Sequence, residues 1–164
     1  MINRVEDKIV DLALLASVRP RWKKEGKVVV WTNGCFDLLH AGHIHSLIAA
    51  RSFGDILVVG VNSDDSVRRL KGPHRPIVLA AERAFILAAL ECVDYVTVFD
   101  EDTPERAIDL LRPDVHCKGA EYAPPGGKPI PEAELVRSYG GKIHFLPIVN
   151  ARSTTSLIRT IRGT

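Results

Sequence analysis

The chain has few cysteines, no basic tract and no long apolar run. Its three cysteines, Cys35, Cys92 and Cys117, are scattered without a Cys-x-x-Cys, which argues against a disulfide framework and a zinc site and fits the reducing cytoplasm. The N-terminus lacks an apolar core of signal-peptide length, and no apolar run approaches membrane-spanning length. The net charge is only +2, too small to indicate nucleic acid. We therefore predict a cytoplasmic protein with neither a membrane nor a nucleic-acid partner.

Two glycine signatures of nucleotide-binding proteins are also missing. No Gly-x-Gly-x-x-Gly follows the first predicted strand, which disfavours a dinucleotide-dependent dehydrogenase. The stretch Gly126-Gly-Lys128 is not a phosphate loop, because prolines flank it and the required spacing to a second glycine and a hydroxyl residue is absent.

Length and periodicity predict one α/β domain over residues 1–164. Strands are predicted at 28–32, 56–61, 94–99, 115–117 and 142–146. Helices are predicted at 5–18 (ended by Arg19-Pro20), 66–70, 79–90, from a Thr103 cap to 112, at 132–139 and after 153. This alternation predicts a Rossmann-like open parallel five-stranded sheet with helices on both faces.

The most informative stretch is a short apolar strand that leads into a helix carrying two histidines. Residues 28–32 are rich in β-branched side chains, and the apolar residues of 44–48 repeat at helical spacing. His40 and His43 therefore fall at the helix start, at the carboxyl end of a strand, where open α/β sheets bind ligands. Free backbone N–H groups and the positive end of the helix dipole favour phosphate there.

Other interpretations of this pair stay open. The two histidines are alternatively capping or core residues, although the small residues Asn33-Gly34 and Gly42 around them let a ligand approach closely. A zinc pair is a rival interpretation, which is weakened because no third ligand other than Asp37 lies nearby in the sequence. Cys35 beside two histidines suggests a thiol nucleophile, which the adjacent phosphate-binding features disfavour.

Polar residues follow the later strands at the same predicted edge. Asn62 leaves the second strand toward that edge, while Asp64 is a ligand contact unless it or Ser63 simply caps the following helix. Lys118-Gly119 ends the fourth strand, where charge and bare backbone suit a phosphate and a nucleoside. Arg83 either reaches the site or forms a surface ion pair. Ser153, Thr154 and Thr155 open the last helix and form a second candidate phosphate cradle.

The segment Thr32-Asn-Gly-Cys-Phe-Asp-Leu-Leu-His-Ala-Gly-His43 resembles the His-x-Gly-His signature of the cytidylyltransferase-like nucleotidyltransferases. Within that superfamily the chain is similar to the heptose 1-phosphate adenylyltransferases (ADP-heptose synthases). The supporting blocks are 62–72, Glu82-Arg83, 99–104, 112–115, Lys118-Gly119 and 152–155.

The resemblance implies transfer of AMP from ATP to D-glycero-D-manno-heptose 1-phosphate, giving ADP-heptose and pyrophosphate by in-line attack at the α-phosphate. His40, His43 and Lys71 would be catalytic. The nucleotide would contact Thr32, Asn33, Gly34, Cys35, Phe36, Gly42, Lys118, Gly119, Ser153, Thr154 and Thr155. The acceptor would contact Asp37, Asn62, Asp64 and Arg83. Mg²⁺ is implied as the cofactor by the resemblance and by the triphosphate, and a homodimer by the resemblance alone.

Two alternatives stay open at this point. One is a CTP-dependent relative that acts on another phosphorylated alcohol or on a phosphonate, since sequence hides the backbone contacts that choose the base. In a different class, the chain would be a nucleotide-binding sensor without turnover. The presence of both His40 and His43 argues against that.

Overall fold

The computed structural model describes residues 4–147 and 154–163. The strands there are β1 (Val29–Gly34), β2 (Ile56–Asn62), β3 (Tyr95–Phe99), β4 (Val115–Gly119) and β5 (Lys142–Leu146). The helices are α1 (Leu12–Lys24), α2 (Ala41–Arg51), α3 (Asp64–Lys71), α4 (Ala80–Ala88), α5 (Glu105–Leu111), α6 (Ala133–Ser138) and α7 (Thr154–Arg162). Short 3-10 turns lie at Val5–Lys8 and Ala120–Tyr122. No helix in this part of the chain is both long and apolar enough to cross a membrane.

The five strands form one parallel sheet in the order β3-β2-β1-β4-β5, which confirms the predicted architecture. The chain builds outward from β1 through β2 to β3 and then crosses to β4 on the other side of β1. Thr32 of β1 pairs with Cys117 of β4. The connections after β1 and β4 leave in opposite directions, and they open a crevice beyond the carboxyl ends of these two strands.

Alternate residues of β1 serve two separate hydrophobic cores. Val30 packs with α2 and α4 on one face of the sheet. Val29 and Trp31 pack with α1, α5 and α6 on the other. The sheet accommodates the Trp31 indole because Gly60 lies beside it: a Cβ at position 60 would lie 2.4 Å from the indole ring. Helices therefore cover both faces, as predicted. Successive residues of a strand point to opposite faces of the sheet.

The predicted N-terminal helix is wrong at both ends. Residues 5–8 form a 3-10 turn, and Ile9 then makes a bridge to Val96 of the edge strand β3. Asp11 caps α1 by accepting a hydrogen bond from the backbone N–H of Leu14 at 2.7 Å. The helix continues through Pro20 to Lys24. Proline removes one helical hydrogen bond, and the burial of Leu15 and Trp22 on either side of it offsets that loss.

The predicted cap of α5 is also wrong. Pro104 occupies the cap position without a side-chain hydrogen bond to the helix backbone, and α5 begins at Glu105. The Thr103 hydroxyl instead donates to the Glu105 carboxylate at 2.8 Å. The Thr103 side chain is oriented toward this carboxylate and therefore does not accept a hydrogen bond from a backbone N–H of the helix.

Candidate active site

A cleft of about 880 Å³ opens at the carboxyl ends of β1 and β4, between the starts of α2 and α7. The predicted residues that line it are Thr32, Asn33, Gly34, Cys35, Phe36, His40, Gly42, His43, Asn62, Lys71, Lys118, Gly119, Thr154 and Thr155. Ser153, the predicted cap of α7, lies outside the described residues. The Thr154 hydroxyl donates to the carbonyl of Leu38 at 3.1 Å, which ties the start of α7 to the loop before α2. The cleft thus joins segments that are more than 100 residues apart in sequence.

The two histidines hold each other at the start of α2. His40 is the cap residue, and its Nδ1 accepts from the backbone N–H of Gly42 at 3.1 Å. The Nδ1 of His43 in turn accepts from the backbone N–H of His40 at 3.3 Å. The ring centroids are 4.0 Å apart. The capping interpretation and the anion-site interpretation are therefore compatible, because capping uses only one nitrogen of each ring.

The hydrogen bonds fix the tautomer of both rings. A ring nitrogen that accepts from a backbone N–H carries no proton, so the proton of each neutral imidazole is on Nε2. Burial, and then the neighbouring His40, lower the pKa of His43 from its ordinary value to about 4. His43 is therefore neutral at physiological pH. The pair presents two oriented Nε2–H donors, without a positive charge on His43, to an anion in the cleft.

Phe36 supports this arrangement through a strained backbone. Its φ angle is 48°, in the left-handed region that residues other than glycine rarely adopt. The conformation places the Phe36 ring against His43, with 5.6 Å between ring centroids. Strain of this kind persists where the surroundings impose it and is common at functional sites. It fits a loop that is shaped around the histidine pair.

The rival roles of these residues receive little support. Burial raises the pKa of the Cys35 thiol, with nearby cations opposing the shift, so its thiolate form is scarce. That disfavours a thiol nucleophile. Residues 4–147 and 154–163 contain no group of three or more His, Cys, Asp or Glu side chains placed to hold a metal ion. A zinc ligand must also be an unprotonated ring nitrogen, whereas each Nδ1 here accepts from the backbone and each Nε2 carries the proton.

Asp37 lies behind the cleft instead of on its wall. Its side chain is fully buried and forms an ion pair with Arg75. Its Oδ1 also accepts from the backbone N–H groups of Ile77 and Val78 at 2.7 and 2.9 Å. Every hydrogen bond that the structure shows for Asp37 therefore secures the segment after α3. These contacts give the carboxylate a scaffolding position away from the cleft lining, and its contact with the acceptor stays a prediction.

Asp37→Asn is expected to lower the free energy of unfolding by about 1–3 kcal/mol, because an amide cannot replace a carboxylate that accepts three hydrogen bonds. Urea denaturation measures the change, and limited proteolysis is expected to cut faster within residues 72–79. Asp65→Asn is the matched control, because Asp65 pairs with Arg68 on the exposed surface of α3. A stable Asp37→Asn protein with no turnover would instead place this carboxylate in contact with substrate.

Arg83 also lies behind the cleft, where it joins four segments. Only 1% of its surface is exposed. Its guanidinium donates to the carbonyls of Cys35, Asn62 and Val78 at 2.6–2.8 Å and to the Asp64 carboxylate at 2.7 Å. The alternative of a surface ion pair is wrong, because the Arg83 side chain is buried in its pair with Asp64, whereas contact with the acceptor stays a prediction. Arg83 fixes the ends of β1 and β2 relative to α3 and the segment before α4.

Asp64 and Asn62 share this supporting network. The Asp64 carboxylate accepts from Arg83 and from the backbone N–H of Ala80. It does not cap α3, because the Ser63 hydroxyl accepts from the N–H of Ser66 and serves as the cap. The Asn62 amide donates to the Ser66 hydroxyl at 3.0 Å. Asn62 reaches the cleft wall, whereas Asp64 and Arg83 do not line it.

Lys118 belongs to a buried cluster with Glu132 and His116, which was not predicted from the sequence. The Glu132 carboxylate is fully buried and bonds through Oε1 to His116 Nε2 at 2.8 Å and to Lys118 Nζ at 2.9 Å. The i, i+2 spacing of His116 and Lys118 places both on one side of β4 and is the signal that was available. Nothing in the Pro-rich loop before Glu132 indicates that its side chain turns inward. Lys118 and Glu132 both line the cleft.

The parallel sheet, the cleft at its switch point and the two helix starts there define an open α/β domain with a ligand-binding crevice of the usual kind. The chain belongs to the cytidylyltransferase-like family, whose family model matches residues 31–159. That match includes the histidine pair and runs into α7, and it confirms the resemblance carried by the His-x-Gly-His segment.

Named relatives agree with this family. The chain is 54% identical over 155 residues to a bifunctional protein HldE of Geotalea uraniireducens, covering 94% of this chain and 31% of that protein. It is 55% identical over 139 residues to a bifunctional protein HldE of Syntrophotalea carbinolica, covering 85% and 28%. The crystal structure of a lipopolysaccharide core biosynthesis protein from Thermoplasma volcanium superposes with a TM-score of 0.59 at 30% identity, covering 77% of this chain and all of that one. The chain thus spans about a third of the length of the HldE proteins it matches.

Proposed function

We propose that the protein is a nucleotidyltransferase that transfers AMP from ATP to a heptose 1-phosphate, giving ADP-heptose and pyrophosphate. The observation that carries the proposal is the pair of imidazoles at the start of α2, each with Nδ1 engaged by the backbone and Nε2–H free to donate. Donors fixed in this way suit a phosphate group on which negative charge increases during reaction.

The proposed reaction forms one bond and breaks one. An oxygen of the sugar phosphate attacks the α-phosphorus of ATP in line, and the bond from that phosphorus to the bridging oxygen of pyrophosphate breaks. No proton has to be removed from an ionised phosphate oxygen, so the protein acts by positioning and by stabilising charge. His40 and His43 donate to the phosphate oxygens, and the start of α7 offers further N–H groups.

Lys71 supplies mobile positive charge to the same reaction. It lines the cleft from the end of α3, is exposed, and has no hydrogen-bond or ion-pair partner among the residues that the structure describes. A free ammonium on an exposed segment can follow the charge from the triphosphate to the leaving pyrophosphate. Arg75 lies close by but is committed to Asp37.

Magnesium belongs to the proposal as part of the substrate complex. Mg²⁺ commonly binds through substrate phosphates and keeps several waters, so it needs few protein ligands. That fits a cleft without a cluster of metal-ligating side chains in its described part. When bound, the ion would neutralise triphosphate charge and orient the phosphates.

The choice of ATP and of a heptose acceptor rests on the sequence resemblance. The Thermoplasma protein, which is named for lipopolysaccharide core biosynthesis, supports the same choice of pathway. Use of ATP and three free cysteines support a cytoplasmic location. A homodimer is also proposed, from the resemblance alone.

Pyrophosphate release is expected with ATP and heptose 1-phosphate in the presence of Mg²⁺, and EDTA is expected to abolish it. The assay crosses ATP, CTP and GTP with heptose 1-phosphate and glycerol 3-phosphate. Turnover with CTP would replace the donor and the pathway while keeping the roles of the histidines. Tight binding of ATP without release for either acceptor would contradict the proposal in favour of a sensor.

A further inference from the structure

The cluster of His116, Glu132 and Lys118 is costly to bury, and only Lys118, as a predicted nucleotide contact, has been given a role above. Glu132 is the cap residue of α6, yet its side chain makes no hydrogen bond to that helix. Its Oε2 and the Nδ1 of His116 are buried and lack a hydrogen-bond partner within the described ranges. Replacing buried ion pairs by apolar residues is often neutral or stabilising, so stability alone does not account for the cluster.

Two contacts hold the Lys118 ammonium in one place. It donates to Glu132 Oε1 at 2.9 Å and lies 4.4 Å from the centroid of the Tyr122 ring. His116 donates to the same carboxylate oxygen from behind. Burial opposes ionisation of Glu132, but the hydrogen bonds from His116 and Lys118 and the Lys118 charge prevail and hold its pKa at about 2. Glu132 is therefore a carboxylate at physiological pH and offsets the charge of Lys118.

The cluster also lies across the sheet from the phosphate donors. Val30 and Cys117 face α2 and α4, so the alternation along β4 directs His116 and Lys118 toward α6 on the opposite face. The histidine pair stands on α2. Both groups line the same cleft, so a nucleotide whose phosphates contact the start of α2 would extend across the ends of β1 and β4 toward Lys118.

We infer that Glu132, backed by His116, is a positioning residue that converts Lys118 from a cation for phosphate into an oriented hydrogen-bond donor for the nucleoside part of the nucleotide. An ammonium whose charge is offset by a neighbouring carboxylate attracts phosphate weakly. Its remaining N–H groups still donate to a ring nitrogen, a carbonyl or a ribose oxygen. The inference deepens the proposed function and rests on it. It assigns the two ends of the nucleotide to groups of different charge.

The test compares ATP with inorganic tripolyphosphate, which has the phosphates without the nucleoside. In Glu132→Gln, ATP is expected to bind about 10-fold more weakly because Lys118 loses its anchor. Tripolyphosphate is expected to bind as tightly as to the wild type or more tightly, because the charge of Lys118 is no longer offset. Isothermal titration with Mg²⁺ measures both affinities. The KM for ATP is expected to rise by a similar factor, with kcat changed less than about 3-fold.

Glu134→Gln is the matched control, since Glu134 is an exposed carboxylate on the same helix. It is expected to change neither affinity. Thermal melting establishes that each variant folds. If Glu132→Gln does not fold, His116→Leu keeps the Lys118–Glu132 pair and removes its support, and a smaller loss of ATP affinity with no loss of tripolyphosphate affinity is expected.

Equal weakening of ATP and tripolyphosphate in a folded variant would overturn the inference, because it would place Lys118 on the phosphates. Unchanged affinity for both would overturn it as well. A wild-type protein that binds none of ATP, CTP and GTP would remove the proposed function and this inference together. Binding of ATP without the contrast between the two ligands would remove the inference alone.

Discussion

His43→Ala is expected to lower kcat/KM by about 100- to 1,000-fold, the usual loss when one oriented donor to a developing anion is removed. The change removes the Nε2–H donor and also the acceptor for the backbone N–H of His40. Steady-state pyrophosphate release measures it. Cys35→Ser is the matched control: it replaces a neighbouring cleft residue whose thiol is protonated, and most activity is expected to remain. The reverse ranking of the two variants would contradict the phosphate interpretation of the site.

The same histidine sets an expected pH dependence. With a folded-state pKa of about 4, below its ordinary value of 6.5, His43 binds fewer protons in the folded than in the unfolded protein. Its contribution to stability is therefore complete above about pH 6.5 and is lost as the pH falls toward 4. Activity is expected to be free of a His43 titration between about pH 6 and 8. If activity followed a group with a near-neutral pKa, and if that dependence disappeared in His43→Ala, the neutral state of His43 would be contradicted.

Arg83→Met is expected to lower the free energy of unfolding by about 3–5 kcal/mol, because it removes a buried cation and its hydrogen bonds to three carbonyls and to the Asp64 carboxylate. Arg83→Lys is expected to restore only a small part, since one ammonium cannot reach acceptors spread around a planar guanidinium. Chemical denaturation measures both variants. Activity is expected to fall with stability, because Arg83 holds the carbonyl of Cys35 beside the cleft.

Arg106→Met is the control for this large effect. Arg106 pairs with Glu101, and 71% of its side chain is exposed. A loss of about 0–1 kcal/mol is expected there. If Arg83→Met costs no more than Arg106→Met, the network around Arg83 is not what holds the strand ends together.

Periodicity predicted the sheet because the strands follow a simple rule. Runs such as residues 56–61 carry no polar side chain, since both faces of a parallel sheet are covered, and short breaks separate them. The predicted bounds of the N-terminal helix were wrong because a distant contact determines the structure of the residues before α1. Pairing of Ile9 with Val96 depends on a residue 87 positions away, and no local pattern reports a contact of that kind.

The cleft residues that could be predicted are those whose location follows from the local order of strand, turn and helix. His40 and His43 could be placed because a strand, a turn and a helix start specify a location without any distant partner. Arg83 and Glu132 could not, because a charged residue in a helical stretch is usually solvated and sequence does not show the acceptors that surround it. The roles of these two buried charged residues could therefore be recognised only in the three-dimensional structure.

The reciprocal hydrogen bonds of the histidine pair have a consequence for sequence variation. Each ring secures the backbone that positions the other ring. A substitution at either position removes one donor and also releases the remaining one from its fixed orientation. The two positions are therefore expected to act as one unit, in which a protein that loses one histidine gains little activity from the other. Double-mutant measurements at such sites are strongly non-additive, and the second change costs little once the first is made.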